Sequence, residues 1–262
     1  MDAITSKYVG RVIGVRGQIV RIECDGDYLP RLRGLLTCKN TSSIRLEVHS
    51  YNGPHELSCL LLSQQKEVYR NMEVVSTGGE LVIPVGPEIL GRVINLFGEV
   101  QDGKEELPKN ILRQSIYLKE NVSSTTEIEL KPEETGILET GIKAIDFFTP
   151  LPRGSKIGLV GGPGVGKTVL MTEIMRNVNS GGNNLSVFAG IGERIREGHE
   201  LWETLRETEV LYRTALILGL MNENAAVRFK IAGDAATLAH YFRDIEKQNV
   251  LFFVDNIFRF VQ

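Results

Sequence analysis

A glycine-rich turn between two apolar segments is the feature that most constrains the fold of this chain. The stretch GLVGGPGVGKTVLM covers residues 158–171, and residues 161–168 match the pattern G-x-x-x-x-G-K-[ST]. Glycines let successive backbone N–H groups converge on one concave site, while a following helix aims its N-terminal donors at the same point. A turn that merely joins a strand to a helix is the alternative. With apolar strand and helix patterns on either side, we predict a phosphate-binding loop.

The side chains at the end of this turn indicate what the loop holds. Lys167 is expected to reach the β- and γ-phosphates of a nucleotide, and the Thr168 hydroxyl is expected to ligate magnesium. We therefore predict that ATP or ADP binds here as substrate, with Mg²⁺ as cofactor. The residues predicted to surround the nucleotide are Gly161, Gly162, Pro163, Gly164, Val165, Gly166, Lys167, Thr168 and Val169.

The second part of the chain, residues 80–262, alternates strand and helix patterns. Apolar runs such as SKIGLVGG, LSVFAGIG, RTALILGLM and NVLFFVDN are separated by segments with helical spacing. Strands that alternate with helices predict a parallel sheet covered on both faces, which is an α/β fold.

The first part, residues 1–79, has a different pattern. Short segments with period-two alternation, such as YVGRVIGVRGQIVRIEC, are separated by turn residues and predict a small antiparallel β-barrel. Such barrels can bind nucleic acid. Residues 1–80, however, carry ten Lys or Arg against nine Asp or Glu, and the four tyrosines are scattered. A single-strand-binding groove needs a basic surface with stacking aromatics. We therefore expect a packing or ring-forming role and no nucleic-acid partner.

Charge and cysteine content indicate where the protein works. The net charge of −3 gives no basic field for nucleic acid or an anionic membrane. The three cysteines show no metal-ligand spacing and suit a reducing compartment. No apolar run is long enough to span a bilayer, and the N-terminus lacks the features of a signal or transit peptide. We expect a cytosolic protein, or one attached to a membrane only through partners.

Two carboxylates follow strand patterns at positions that suit phosphate chemistry. Asp255 ends the run NVLFFVDN, where it can hold magnesium through water; a simple strand-end turn residue is the alternative. Glu193 lies one helix-and-strand crossover after Lys167, so we expect it at the end of the strand next to the loop. There it can orient a water for attack on the γ-phosphate, with Arg194 stabilising charge; a solvated charge cluster is the alternative.

The segments GGPGVGKT, GIGERIREG and VDNIFRF, with GILETGIKAIDFFTPLPRGSKIGLVGG and IPVGPEILGRVINLFGE, resemble the catalytic beta subunits of rotary (F-type) ATP synthases. The resemblance implies a RecA-like nucleotide-binding domain. By this resemblance, Lys167 and Thr168 serve phosphate and magnesium, and Glu193 is the catalytic carboxylate. Arg194 and Arg259 then face the γ-phosphate.

The same resemblance implies partners and a location. It predicts an alternating hexameric ring with alpha-type subunits, a central gamma-type shaft, and an indirect link to a proton-conducting membrane sector. The protein would lie at the cytoplasmic face of the plasma (inner) membrane as a peripheral component. The implied reaction is formation of ATP from ADP and phosphate, or its reverse.

Four departures from the family pattern keep other interpretations open. Pro163 stands where the family usually has alanine and lacks one N–H donor. The loop at residues 221–228 lacks the family's proline pair and glycine, and residues 113–134 lack its proline-rich pattern. The chain also stops at Gln262, from which we expect a sheet that is incomplete at its C-terminus and a truncated subunit that is inactive when isolated. The alternatives are a nucleotide-binding module without turnover, a secretion-associated export ATPase or an RNA-translocating terminator.

Overall fold

The computed structural model describes residues 7–25, 28–63, 67–117, 136–162, 164–180 and 184–261. Pro163, which the sequence analysis assigned to the loop, lies outside the described residues. Most of the region 113–134, which lacks the family's proline-rich pattern, lies outside them as well. No described helix is both long and apolar enough to cross a membrane.

The first part of the chain is a closed six-stranded barrel with the strand order β1-β2-β5-β4-β3-β6. Every neighbouring pair is antiparallel, so the predicted small antiparallel barrel is confirmed. Closure pairs both edges and leaves no free strand for association. The strands are β1 (Lys7–Arg16), β2 (Ile19–Cys24), β3 (Gly34–Cys38), β4 (Thr41–Tyr51), β5 (Glu56–Leu61) and β6 (Glu73–Glu80).

The interior of the barrel follows from the period-two patterns. In β2, exposed and buried residues alternate along all six positions, with Val20 and Ile22 fully buried. Leu36 and Leu57 reach the same core from β3 and β5. All three cysteines are buried free thiols in this barrel, and burial raises the pKa of Cys38 to about 11. Their role is therefore packing, as expected from their spacing.

Short elements connect the barrel to the second part of the chain. Of these, β8 joins the main sheet, whereas β7 pairs with β9 and β10 pairs with β11. The connecting elements are β7 (Val82–Pro84), β8 (Val93–Ile94), β9 (Arg113–Ser115), β10 (Ile137–Leu138), α1 (Lys143–Phe148) and β11 (Leu151–Pro152).

The second part is built on a four-stranded sheet with the order β14-β12-β13-β8, and all its pairs are parallel. Helices alternate with the strands, so the predicted parallel α/β sheet is confirmed. Eight consecutive residues of β12 are buried, which is typical of a strand with both faces covered. The elements are α2 (Lys167–Ser180), β12 (Asn184–Glu193), α3 (Ile195–Glu207), β13 (Thr214–Leu220), α4 (Ala225–His240), β14 (Asn249–Asp255) and α5 (Ile257–Val261).

The predicted strand before the glycine turn is not formed, and that prediction was wrong. Residues 155–162 contain no strand, and Val160 is 99% exposed. A short apolar run becomes a strand only where a sheet edge accepts its backbone groups, and periodicity alone does not show this. The edges of the described main sheet are β14 and β8, and neither pairs with this run.

Helix α4 joins the sheet to the barrel. Its N-cap Asn224 accepts a hydrogen bond from the backbone N–H of Val227 at 2.9 Å, as N-cap residues commonly do. The amide nitrogen of the same Asn224 side chain donates to the carbonyl of Leu61 in the barrel at 2.8 Å. Gln18, also in the barrel, accepts from the N–H of Ala226 at 3.1 Å. The first turn of α4 is therefore held against the barrel by polar contacts.

The junction between α4 and the barrel also contains a buried ion pair. The Lys230 ammonium donates to Glu47 in the barrel at 2.7 Å and to the Tyr117 hydroxyl at 2.6 Å, and Tyr117 donates to the other Glu47 oxygen. Lys230 and Glu47 are both buried. Burial and the Glu47 carboxylate raise the pKa of Tyr117, so its hydroxyl remains a donor. Because removal of one partner leaves an uncompensated charge, such a pair fixes the relative position of its two elements.

One further carboxyl lies in this junction without a partner. Asp234, one helical turn after Lys230, is fully buried, and neither of its oxygens has a hydrogen-bond partner in the described part of the chain. Burial raises its pKa well above the usual range, although Lys230 opposes this. The folded protein therefore binds a proton at Asp234 that the unfolded chain releases near its ordinary pKa.

We predict that Asp234→Asn removes a pH-dependent loss of stability. Since the folded-state pKa is raised, this carboxyl contributes its full stability below the unfolded pKa and loses it as pH rises toward the folded pKa. We expect urea unfolding at about pH 5 and about pH 8 to show this effect. The free energy of unfolding of Asp234→Asn should rise relative to that of the parent protein between the lower and the higher pH.

The exposed Asp244, which follows α4, provides the control. Its pKa is lowered by Arg243, so Asp244→Asn should change the free energy of unfolding by a constant amount over the same pH range. If the free energies of unfolding of Asp234→Asn and the parent changed in parallel with pH, the prediction would be contradicted.

Candidate functional site

The glycine turn leads directly into α2, whose first residue is Lys167. Gly164 and Gly166 have φ of 74° and 88°, in the left-handed region that glycine adopts without strain. The Lys167 ammonium donates to the carbonyl of Gly162 at 3.0 Å and also to that of Gly161, so the loop curls around it. This arrangement of glycines, lysine and helix start is the one that the sequence pattern predicts.

The remaining loop residues lie at the surface. Val165, Thr168 and Val169 are exposed, so the Thr168 hydroxyl is open to a ligand. A methyl group added at Gly161 would lie 2.7 Å from Cγ2 of Val165, which shows how closely the backbone folds over itself here. Larger residues at that position would therefore open the loop.

The two carboxylates lie at the same edge of the sheet. Glu193 is the last residue of β12 and Asp255 is the last residue of β14, and the two strands pair in parallel with Gly190 opposite Asp255. As predicted, β12 is the first strand after the loop in the chain, and its neighbours in the sheet are β13 and β14. The shared edge is the C-terminal one, where α/β sheets bind ligands.

The electrostatics of this edge link Lys167, Glu193 and Asp255. Burial raises the pKa of Glu193 to about 8, and a hydrogen bond to Glu197 and the charge of Asp255 act in the same direction. Burial also raises the pKa of Asp255, which the nearby Lys167 ammonium partly offsets. Asp255 therefore lies within electrostatic reach of both Lys167 and Glu193.

The two predicted arginines take different positions. Arg259, on α5, lies close enough to Glu193 to oppose the rise of its pKa. Arg194 precedes α3 and donates to Glu197 at 2.8 Å in an exposed ion pair. The structure thus brings Arg259 to the carboxylate edge and pairs Arg194 with an acidic side chain.

Three residues of this edge were missed by the sequence reasoning. Gly192 has φ of 69°, and Arg228 of α4 and Arg259 both lie against it. Glu197 hydrogen-bonds Glu193 from the first turn of α3. Glu193 and Glu197 are only four positions apart in the sequence, where a strand pattern gives way to a helix pattern, so their proximity could have been anticipated. Nothing in the sequence indicates that Arg228 lies at Gly192.

The donor set at this edge suits magnesium. Among the described residues no cluster of three or more His, Cys, Asp or Glu could hold a metal by itself. The Thr168 hydroxyl and the Asp255 carboxylate are hard oxygen donors, and Mg²⁺ commonly takes one or two protein oxygens plus water and substrate phosphates. The residues present therefore fit magnesium that arrives with a nucleotide.

Comparison with known families agrees with this geometry. Residues 141–262 match the family model described as ATP synthase alpha/beta family, nucleotide-binding domain. The matched range contains the loop, Glu193, Asp255 and Arg259. This part of the chain is therefore similar to the nucleotide-binding domains of that family. The family description covers alpha and beta subunits together.

We predict that Gly192→Ala destabilises the protein. The added methyl group would lie 2.5 Å from Cδ of Arg259, and the backbone is in the left-handed region. The backbone term alone costs about 1–2 kcal/mol. Urea unfolding measures the loss.

Gly53→Ala is the matched control, since a methyl group added there meets nothing within 4 Å and its φ is not positive. It should change the free energy of unfolding by less than about 0.5 kcal/mol. Equal effects of the two substitutions would show that Gly192 is under no special constraint.

Proposed function

We propose that this chain is a catalytic, beta-type subunit of a proton-driven rotary ATP synthase. It would form ATP from ADP and phosphate, or hydrolyse ATP, at a Mg-nucleotide site shared with a neighbouring alpha-type subunit. The observation that carries the proposal is the placement of Glu193 at the sheet edge that also holds Asp255, within reach of Lys167. In the family that the chain resembles, the non-catalytic alpha-type subunits lack the glutamate of the G-E-R-x-R-E-G segment, which this chain retains as Glu193.

The loop and Asp255 would bind the Mg-nucleotide. Backbone N–H groups after the glycines and the start of α2 face the phosphates, and Lys167 neutralises the β- and γ-oxygens. Thr168 and Asp255 would hold magnesium, which would neutralise the negative charge that develops during phosphoryl transfer. Binding a phosphate would exchange the contacts of Lys167 with the loop carbonyls for charge-assisted contacts with the ligand.

Glu193 would act on the attacking water. Its raised pKa of about 8 lies near neutral pH, where a carboxyl both holds and releases a proton readily. The hydrogen bond to Glu197 keeps the side chain in one orientation at the end of β12. In ATP synthesis the same group would orient the water that leaves.

Charge on the transferred phosphoryl group needs cations. Arg259 lies beside Glu193 and is the arginine of this chain best placed for that role. Phosphoryl transfer commonly also needs an arginine supplied in trans, which is worth about 10³–10⁵ in rate. In the proposed ring the alpha-type neighbour supplies it, the gamma-type shaft couples the sites, and the assembly lies at the cytoplasmic face of the membrane.

We predict that Lys167→Ala weakens the binding of Mg-ATP by at least about tenfold, because one charge-assisted contact to phosphate is lost. Calorimetric titration of the full chain measures this. Lys109→Ala, at an exposed lysine outside the site, should bind like the parent. Equal affinity of Lys167→Ala and the parent would contradict a phosphate-binding loop.

We also predict that Glu193→Gln abolishes turnover and leaves nucleotide binding intact. In the ring assembled with alpha-type partners, the rate of ATP hydrolysis should fall by more than about 10²-fold, because water is no longer activated. Glu173→Gln, at an exposed glutamate on α2 that pairs with Arg176, is the control and should retain activity. Turnover within about tenfold of the parent would assign the chemical step to another residue. Nucleotide binding without any turnover in the assembled parent would instead indicate a binding module.

A further inference from the structure

Helix α4 brings Arg228 to the end of β12, where its side chain forms no hydrogen bond or salt bridge with another described residue. A methyl group at Gly192 would lie 3.4 Å from Nη1 of Arg228 and 3.5 Å from its Cδ, so the side chain lies over this glycine. Nε of Arg228 is buried and has no hydrogen-bond partner among the described residues. Buried donors are rarely left unpaired unless a ligand or water completes them.

Arg259 lies against the same glycine. Its Cδ would be 2.5 Å from the added methyl group, so the two arginine side chains flank Gly192 together. Within the described ranges neither arginine takes part in a salt bridge. Two cations at one glycine repel each other unless an anion lies between them.

The carboxyls near this pair do not supply that anion in full. Glu193 shares a hydrogen bond with Glu197, and among the described residues neither Glu193 nor Asp255 forms a salt bridge with Arg228 or Arg259. The positive charge of Arg228 and Arg259 is therefore available to a ligand at the sheet edge.

Both arginines are held on elements that are fixed to each other. Phe229 of α4 and Phe260 of α5 stack with their ring centroids 5.0 Å apart and their planes 4° apart. The start of α4 is also tied to the barrel through Asn224 and through the buried pair of Lys230 with Glu47. Arginines that neighbouring contacts hold in place bind an anion with a smaller entropy cost.

We propose that Arg228 is a further phosphate-binding residue, which forms with Arg259 a two-arginine site over Gly192 for the terminal phosphoryl group. That group is either the γ-phosphate of ATP or free inorganic phosphate. The proposal rests on the proposed function, since it adds a residue to the same site. A planar guanidinium suits it, because its paired N–H groups match two phosphate oxygens.

Calorimetric titrations of the full chain with Mg-ATP and Mg-ADP test the proposal. Arg228→Ala should weaken Mg-ATP binding by about tenfold or more and Mg-ADP binding by less than about threefold, because only ATP carries the terminal phosphate. Arg228→Lys should give an intermediate loss. A titration with inorganic phosphate in the presence of saturating Mg-ADP distinguishes the γ-phosphate of ATP from free phosphate as the ligand. If Arg228→Ala also loses the binding of inorganic phosphate, the site binds the free anion as well.

Arg243→Ala is the matched control, at an exposed arginine that pairs with Asp244 beyond the C-terminal end of α4. It lies about 22 Å from Arg228 along the helical run and should leave both affinities unchanged. Thermal unfolding of each variant checks the fold, and Arg228→Lys serves if the alanine variant does not fold.

The outcomes separate the two proposals. Equal losses for ATP and ADP in the Arg228 variants would show a structural role and overturn the phosphate assignment, as would unchanged affinities. If Lys167→Ala still weakens binding in that case, the proposed function stands without Arg228. If the parent chain binds no Mg-ATP, both proposals are overturned.

Discussion

The parallel pairing of β12 with β14 is the interaction on which the site depends. Seven consecutive residue pairs join the strands, from Asn184 opposite Asn249 to Gly190 opposite Asp255. Successive side chains point to opposite faces of a sheet, so a shift of one residue would turn Asp255 to the other face. The buried apolar residues of β12 oppose that shift, because it would move them as a set. Packing in the sheet thus fixes the position of a polar group at its end.

Helix α4 connects this sheet edge to the barrel. Its first turn places Arg228 at Gly192, and the next places Lys230 in a buried pair with Glu47. A buried ion pair contributes little net stability, since desolvation offsets most of the attraction. It does penalise any arrangement in which the two charges separate. The hypothesis that follows is that this pair makes the barrel and the nucleotide-binding domain move as one body.

Local patterns in the sequence were sufficient for the architecture and for part of the site. Period-two alternation predicted the barrel, and alternating apolar runs predicted the parallel sheet and the edge shared by Glu193 and Asp255. The run at residues 155–160 could not be resolved this way, because a strand also needs a partner edge. The contacts of Gly192 with Arg228 and of Glu47 with Lys230 join residues far apart in the chain, 183 positions in the second case. Such pairs leave no local periodicity, so they follow only from the folded structure.

The charges at the sheet edge show why these long-range contacts matter for chemistry. Burial alone makes Glu193 and Asp255 harder to ionise, and each has a cation that opposes this effect, Arg259 for the first and Lys167 for the second. If the proposed Mg-nucleotide binds here, its phosphates would draw these cations away from the carboxyls, and magnesium would favour the ionised form of Asp255. On that proposal Asp255 would serve as an anion for the metal, while Glu193 would keep its affinity for a proton. The two carboxyls at one edge would then have separate roles, because Lys167 acts on Asp255 and Arg259 acts on Glu193.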